Sequence, residues 1–210
     1  MIKYMAMVLA GVLLPLSPAA LFSADMQSLQ TDEKSAPNAS GLFHPALTKI
    51  LKENSLVNSH GSRVDLKQVL SKKYVFVYLS GYYCHPCKVF SPHLANFYKE
   101  YFKDGDFEVL FICMDTSKET MKMYMQGESM RWPALRFNDP SIKRVEDLVG
   151  WDQGYPFLFL LDENDQVIGK PQLESKDHQS WHSVNVWLSQ HNLQPLHWDF
   201  RAEFDKLNAR

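Results

Sequence analysis

Cysteine is scarce in this chain: three among 210 residues. That is too few for a disulfide-stapled scaffold, and the odd number leaves at least one thiol unpaired. Positive charge is not in surplus either, with 22 Lys and Arg against 24 Asp and Glu. A chain without excess cations is poorly equipped to neutralise a row of phosphates, so nucleic acid is not an expected partner. After the first residues no second long apolar run occurs, and the mature protein is expected to be soluble. What remains is an ordinary globular balance of 45% hydrophobic, 13% aromatic and 22% charged residues. This excludes a fibrous or wholly disordered protein, and the length suits one domain with extensions or two small ones.

Lys3 precedes an apolar run from Tyr4 to Leu16, followed by the small residues Ser17, Ala19, Ala20, Ser23 and Ala24. A basic start, a short apolar stretch and a small-residue exit predict a secretory signal peptide over 1–24, cleaved after Ala20 or Ala24. An uncleaved anchor is the alternative, but spanning a bilayer takes about 20 apolar residues, and Pro15 and Pro18 interrupt this run. Membrane contact is expected only if the segment stays uncleaved. The protein is thus expected to be exported, periplasmic if bacterial and otherwise secreted, in a compartment where disulfides form and exchange. Residues 25–45 are polar and broken by Pro37, and read as a flexible leader.

The expected folded part is a domain over 46–190 with a helical extension over 191–210. Tyr74 to Leu79 is a continuous β-branched and aromatic run, the pattern of a strand buried on both faces, and Glu108 to Met114 is a second. Phe157 to Leu161 and Gln166 to Gly169 predict a pair of strands turned by Glu163-Asn164-Asp165. Helices are predicted over Asp65–Leu70, from Cys84 to about Phe102, from a Thr116/Glu119 capping box to Gln126, from Asp139-Pro140 to Gly150, over Asp177–Gln190 and over Phe200–Leu207. Alternating strands and helices imply an α/β fold, a central sheet with helices on both faces. Chemistry in such sheets gathers at the carboxyl ends of strands, near helix N-termini, where Cys84 falls.

Cys84-His85-Pro86-Cys87 opens the second of these helices. At that spacing one turn brings the two sulfurs within bonding distance. The unpaired N–H groups and dipole of the helix start stabilise a Cys84 thiolate, and a protonated His85 adds to this. Cys87, one turn in, would be shielded and act as the resolving thiol. A structural zinc needs a second pair of ligands; Cys113 stands alone in an apolar strand, and the remaining histidines form no pair. No metal is therefore expected, while a structural disulfide without exchange activity stays open.

The stretch from Tyr78 to Lys88 (Tyr-Leu-Ser-Gly-Tyr-Tyr-Cys-His-Pro-Cys-Lys) resembles the active-site segment of the thioredoxin superfamily, and in particular its tryparedoxin and nucleoredoxin branch. Pro92 in the following helix, Phe97-Tyr98 with Phe107-Glu108-Val109, Trp132-Pro133-Ala134, and Gly154-Tyr155-Pro156 before the third strand agree with it. The resemblance covers about 55–170. It implies a thioredoxin fold with a mixed sheet, a cis Pro156 holding the backbone of Tyr155 opposite Cys84, and substrate contacts from Tyr83, Tyr155, Pro156 and Trp132. Catalysis falls to Cys84 and Cys87 with His85 beside them. The partners implied are protein thiols and disulfides plus a redox partner, met as a monomer and with no cofactor besides the redox-active disulfide. The position of the buried Asp of thioredoxins is Tyr78, and the usual Trp before the first cysteine is Tyr83. Two other functions are weighed: a copper metallochaperone, suggested by Met121, Met123 and Met125 alongside the cysteines, and a non-catalytic binding module.

Overall fold

Strand β2 (Tyr74–Ser80) is buried at every position, and so is β3 (Phe107–Cys113). Their uninterrupted apolar runs can be satisfied only in the middle of a covered sheet. The computed structural model, which describes residues 41–103, 105–172 and 178–209, places them there. They pair in parallel from Tyr74 with Phe107 to Ser80 with Cys113. On the other side of β2, β5 (Phe157–Leu161) runs antiparallel, Val75 opposite Leu161 and Leu79 opposite Phe157. Short strands finish both edges: β4 (Ala134–Leu135) on β3, β1 (Leu56–Val57) on β4, and β6 (Val167–Gly169) on β5, in the order β1-β4-β3-β2-β5-β6.

Side chains alternate between the faces, which divides the core in two. Phe76, Tyr78, Val109, Phe111, Leu158 and Leu160 join one cluster with side chains of α3 (His85–Tyr101), α4 (Lys118–Gly127) and α6 (Trp181–Gln190). Val75, Val77, Leu79, Leu110, Ile112 and Leu161 join the other, with α1 (Pro45–Ile50), α2 (Lys67–Leu70) and α5 (Ile142–Val149). Both faces are covered, as the alternating pattern predicts.

Several local expectations shift. The cap of α4 is Ser117, whose hydroxyl accepts from the Thr120 N–H at 3.1 Å, and not Thr116. Helix α5 begins at Ile142, after Asp139 has accepted from the Ser141 N–H at 2.9 Å. Gly150 closes it at φ 70°, a left-handed backbone that glycine takes without steric penalty. The main chain joins the fold at Phe43 rather than at 46: its N–H donates to the Leu70 carbonyl at 2.8 Å, and that of His44 to the Glu163 carbonyl at 2.9 Å. His44 is buried, its ring between Asp165 at 3.1 Å and the Lys72 carbonyl at 2.9 Å. At the other end, α7 (Phe200–Asn208) follows a buried Trp198. Trp181, Trp187 and Trp198 join the same core cluster as Phe76 and Tyr78. The expected signal peptide and residues 25–40 of the leader lie outside the described residues.

Candidate active site

Cys84 caps α3. Its backbone is extended, and its sulfur accepts the Cys87 N–H at 3.1 Å. Pro86 occupies the first turn, where a missing donor is harmless, and Pro92 interrupts the hydrogen-bond ladder further on. Cys84 and Cys87 are joined in a disulfide with their Cα atoms 5.1 Å apart, and Cys113 is excluded from it. The two sulfur-bearing residues differ in access. Cys84 is 8% exposed and Cys87 fully buried, the asymmetry that an attacking and a resolving thiol require.

Two segments converge on Cys84, and α7 reaches its neighbour His85. Ahead of it the loop Gly81–Tyr83 carries Tyr83 outward, 75% exposed, with its ring edge-on to Tyr82 at 5.1 Å. Across from it the carbonyl oxygen of Tyr155 lies 3.8 Å from the Cys84 sulfur, at a cis Tyr155–Pro156 bond. Tyr155 itself is 44% exposed. That turn is pinned from two sides: the Trp151 indole donates to the Gly154 carbonyl at 2.8 Å, and the Ser180 hydroxyl to the Pro156 carbonyl at 2.9 Å. His85 is exposed and meets Phe204 of α7 with rings perpendicular and centroids 5.6 Å apart. Lys88 sits over the Tyr82 ring, its amine 4.2 Å from the centroid.

Beneath the disulfide lies a set of buried hydroxyls that the sequence reading missed. Ser91 bonds Tyr78 at 2.7 Å and also Tyr124, Tyr124 bonds Ser80 at 2.7 Å, and Ser91 donates to the Cys87 carbonyl at 2.8 Å. A hydroxyl donates once, so one proton arrangement satisfies all four bonds. Ser80 donates to Tyr124, Tyr124 and Tyr78 both donate to Ser91, and Ser91 donates to the backbone of Cys87. Burial pushes Tyr78 up to about 12 and Tyr124 well above the ordinary phenol range. Both phenols are therefore neutral donors near pH 7. The position of the thioredoxin Asp thus carries no negative charge here. Ser91, one turn after Cys87 on the same helix face, was the detectable signal.

Trp132 is a correction. It is fully buried against Tyr78 and Tyr98, and so it supports the site from the core and offers no surface to a substrate. The two-residue pairing of β4 with its neighbours draws this loop inward. Met121 and Met125 are buried in the core as well, which leaves only Met123 exposed among the three methionines. Cys113 is buried, its thiol donating to Asp115 at 3.2 Å. Desolvation, and after it the nearby Asp115 carboxylate, push that thiol above its usual range.

Comparison with known proteins agrees with this geometry. Residues 72–167 match the model of a thioredoxin-like family. The chain is 29% identical over 115 residues to a probable nucleoredoxin 1 of Arabidopsis thaliana, covering 55% of this chain and 19% of that protein. It is 34% identical over 95 residues to a tryparedoxin of Trypanosoma brucei brucei, covering 45% of this chain and 64% of that one. It therefore spans about a fifth of the nucleoredoxin and under two thirds of the tryparedoxin. A solved tryparedoxin from Trypanosoma brucei superposes with a TM-score of 0.51 at 28% identity, covering 60% of this chain and 85% of that one. A thioredoxin from Wuchereria bancrofti shares the fold with a TM-score of 0.52 at 24% identity, covering 76% of this chain and 99% of that one. The fold is the thioredoxin fold, and residues 72–167 are similar to the thioredoxin-like family and to its nucleoredoxins and tryparedoxins.

Proposed function

We propose that this protein is a thiol–disulfide oxidoreductase acting on protein partners through Cys84 and Cys87. The observation that carries the reading is the placement of Cys84: at a helix N-terminus, slightly exposed, bonded to a fully buried Cys87 and facing the Tyr155 carbonyl. In the reducing direction, the Cys84 thiolate attacks one sulfur of a partner disulfide. That bond breaks, a Cys84–partner bond forms, and the other partner sulfur leaves as thiolate. Cys87 then gives its proton to a departing thiolate and attacks the Cys84 sulfur, releasing the second partner thiol. Two electrons pass to the partner and the Cys84–Cys87 bond is made. The oxidising direction is the reverse. The exposed rings of Tyr83 and Tyr155 flank the attacking sulfur and supply apolar contact to a partner chain. The Tyr155 main chain is the edge beside which an extended partner segment pairs. The disulfide is the only redox group this chemistry needs, and a single protomer carries all of it.

The experiment is covalent trapping. Cys87→Ser cannot resolve the mixed disulfide and should retain partner proteins through Cys84, released by reductant, whereas Cys84→Ser should retain none. Equal capture by the two variants would overturn the assignment of roles. We place the protein outside the cytoplasm, on the support of the basic, apolar and small-residue pattern over 1–24. N-terminal sequencing of the exported form should begin after Ala20 or Ala24, and an intact Met1 would overturn cleavage.

A further inference from the structure

Helix α7 lies beyond the segment that matches the thioredoxin-like family, yet it reaches the cysteine motif. It is nine residues long and buries none of its side chains completely. A helix this short is marginal by itself, so the contacts that dock it decide whether it stays. Four are visible. Glu203 pairs with His93 of α3 at 2.6 Å. The His93 ring lies on Trp198 with centroids 4.0 Å apart. Phe200 meets His178 at 4.4 Å. Phe204, stacked on Phe200 at 5.7 Å, meets His85 at 5.6 Å. His178 in turn accepts the Ser180 N–H, and Ser180 holds the Pro156 carbonyl. The C-terminal segment thus touches the structure behind both walls of the site, the start of α3 and the anchor of the Tyr155–Pro156 turn.

Of these contacts, only Phe204 meets a residue lying between the two cysteines. Perpendicular rings at this separation let the edge of one meet the face of the other. The charged groups near the contact are otherwise engaged: Glu203 with His93, Arg201 with Asp205, and Lys88 over Tyr82. We propose, resting on the disulfide-exchange reading, that Phe204 is a positioning residue of the site. Its ring holds the His85 imidazole in place beside the helix start, and from there His85 favours the Cys84 thiolate. The last helix is then part of the redox machinery.

The sign follows. Stabilising the thiolate favours the reduced pair, so losing Phe204 should make the disulfide harder to reduce. The test is a glutathione redox titration of wild type, Phe204→Ala, Phe204→Leu and Phe204→Tyr, each with the NMR chemical shifts of the His85 ring protons, which report the ring contact, and a thermal unfolding midpoint. Phe204→Ala and Phe204→Leu should shift the equilibrium about threefold toward the disulfide, about 14 mV for a two-electron couple. Phe204→Tyr should behave as wild type. In a His85→Gly background the same substitutions should produce no shift, because the group they act through is gone. Leu keeps the apolar packing and decides the matter if Ala unfolds the helix. A purely structural helix would change the unfolding midpoint and leave the potential where it was, which overturns the proposal. A shift that persists undiminished without His85 also overturns it. If the wild-type pair cannot be cycled by glutathione at all, the exchange reading itself fails; if it cycles and Phe204→Leu matches it, only the role of Phe204 fails.

Discussion

The backbone N–H of Tyr82 lies within hydrogen-bonding distance of both carboxylate oxygens of Asp115, at 2.9 and 2.8 Å. Tyr82 follows the end of β2 and Asp115 the end of β3, so the contact ties the two central strands together just before Cys84. The same carboxylate accepts the Cys113 thiol. Gly81 makes the approach possible: a Cβ there would sit 3.0 Å from an Asp115 oxygen.

This close approach predicts a coupling. Gly81→Ala should destabilise the protein by about 1–3 kcal/mol through overpacking, and Asp115→Ala by about 1–3 kcal/mol through an unpaired N–H. In the double variant the methyl group meets no carboxylate, so the total should fall short of the sum by about 1 kcal/mol or more. Denaturant unfolding of the four proteins checks this; simple additivity would show that the carboxylate does not sit against Gly81. Both single variants should also slow disulfide exchange, because the braced loop runs directly into Cys84.

The three cysteines should separate by reactivity. With the disulfide reduced near neutral pH, alkylation should label Cys84 first, since it stands at the helix start, where unpaired N–H groups stabilise its thiolate. Cys87 is fully buried and should react much more slowly. Cys113, its thiol pushed up by burial and by Asp115, should stay unlabelled until the protein unfolds. Mass mapping over time settles the order, and labelling of Cys113 in the folded protein at the Cys84 rate would contradict its buried place on β3.

The hydroxyl set under Cys87 predicts an inverted ranking of two small changes. Ser91→Ala strands the buried donor of Tyr78 and one of the two donors of the Tyr124–Ser80 pair, each worth about 1–3 kcal/mol when unpaired. Tyr78→Phe removes a donor while Ser91 keeps Tyr124 and the Cys87 carbonyl, and should cost about 1 kcal/mol. Losing the serine hydroxyl should therefore be the more damaging of the two in denaturant unfolding. The opposite order would refute the proton arrangement.

What was legible in the sequence depended on how local its cause was. The strands β2 and β5 and the start of α3 showed because continuous apolar runs and a CxxC pair carry their meaning within a few residues. Strands β1 and β4 have two residues each, too few for any periodicity, and α1 only six. Trp132 read as a site residue because its loop signals (Pro133 next to it) are local, whereas the cavity between Tyr78 and Tyr98 that buries it is assembled from β2 and α3. Glu108 is fully buried inside an apolar strand, and only the fold supplies the Tyr98 hydroxyl and the Gln68 amide that satisfy it, both at 2.9 Å. The contact of Phe204 with His85 joins residues far apart in the chain, and no window of sequence could have shown it.

His178 gives a prediction in pH. It is buried among Phe90, Trp198 and Phe200, and desolvation lowers its pKa to about 4 from the ordinary 6.5. The folded protein holds this ring neutral, with Nδ1 accepting the Ser180 N–H at 3.1 Å. The unfolded chain takes up a proton near pH 6.5 and the folded one only near pH 4, so between these values the unfolded state binds more protons. Stability must then rise with pH across that window and fall on acidification from pH 6.5 to 4. The full difference corresponds to about 2–4 kcal/mol at 1.36 kcal/mol per pKa unit. His178→Asn places an amide oxygen where Nδ1 accepted, and it does not titrate. This variant should be less stable than wild type at neutral pH because ring packing is lost, yet the difference between the two should narrow steadily as pH falls to 4. Measuring urea unfolding of both proteins at half-unit steps tests this. A constant gap across the window would show that His178 is charged, or solvated, in the folded state, and that Ser180 and the Pro156 carbonyl are anchored in some other way.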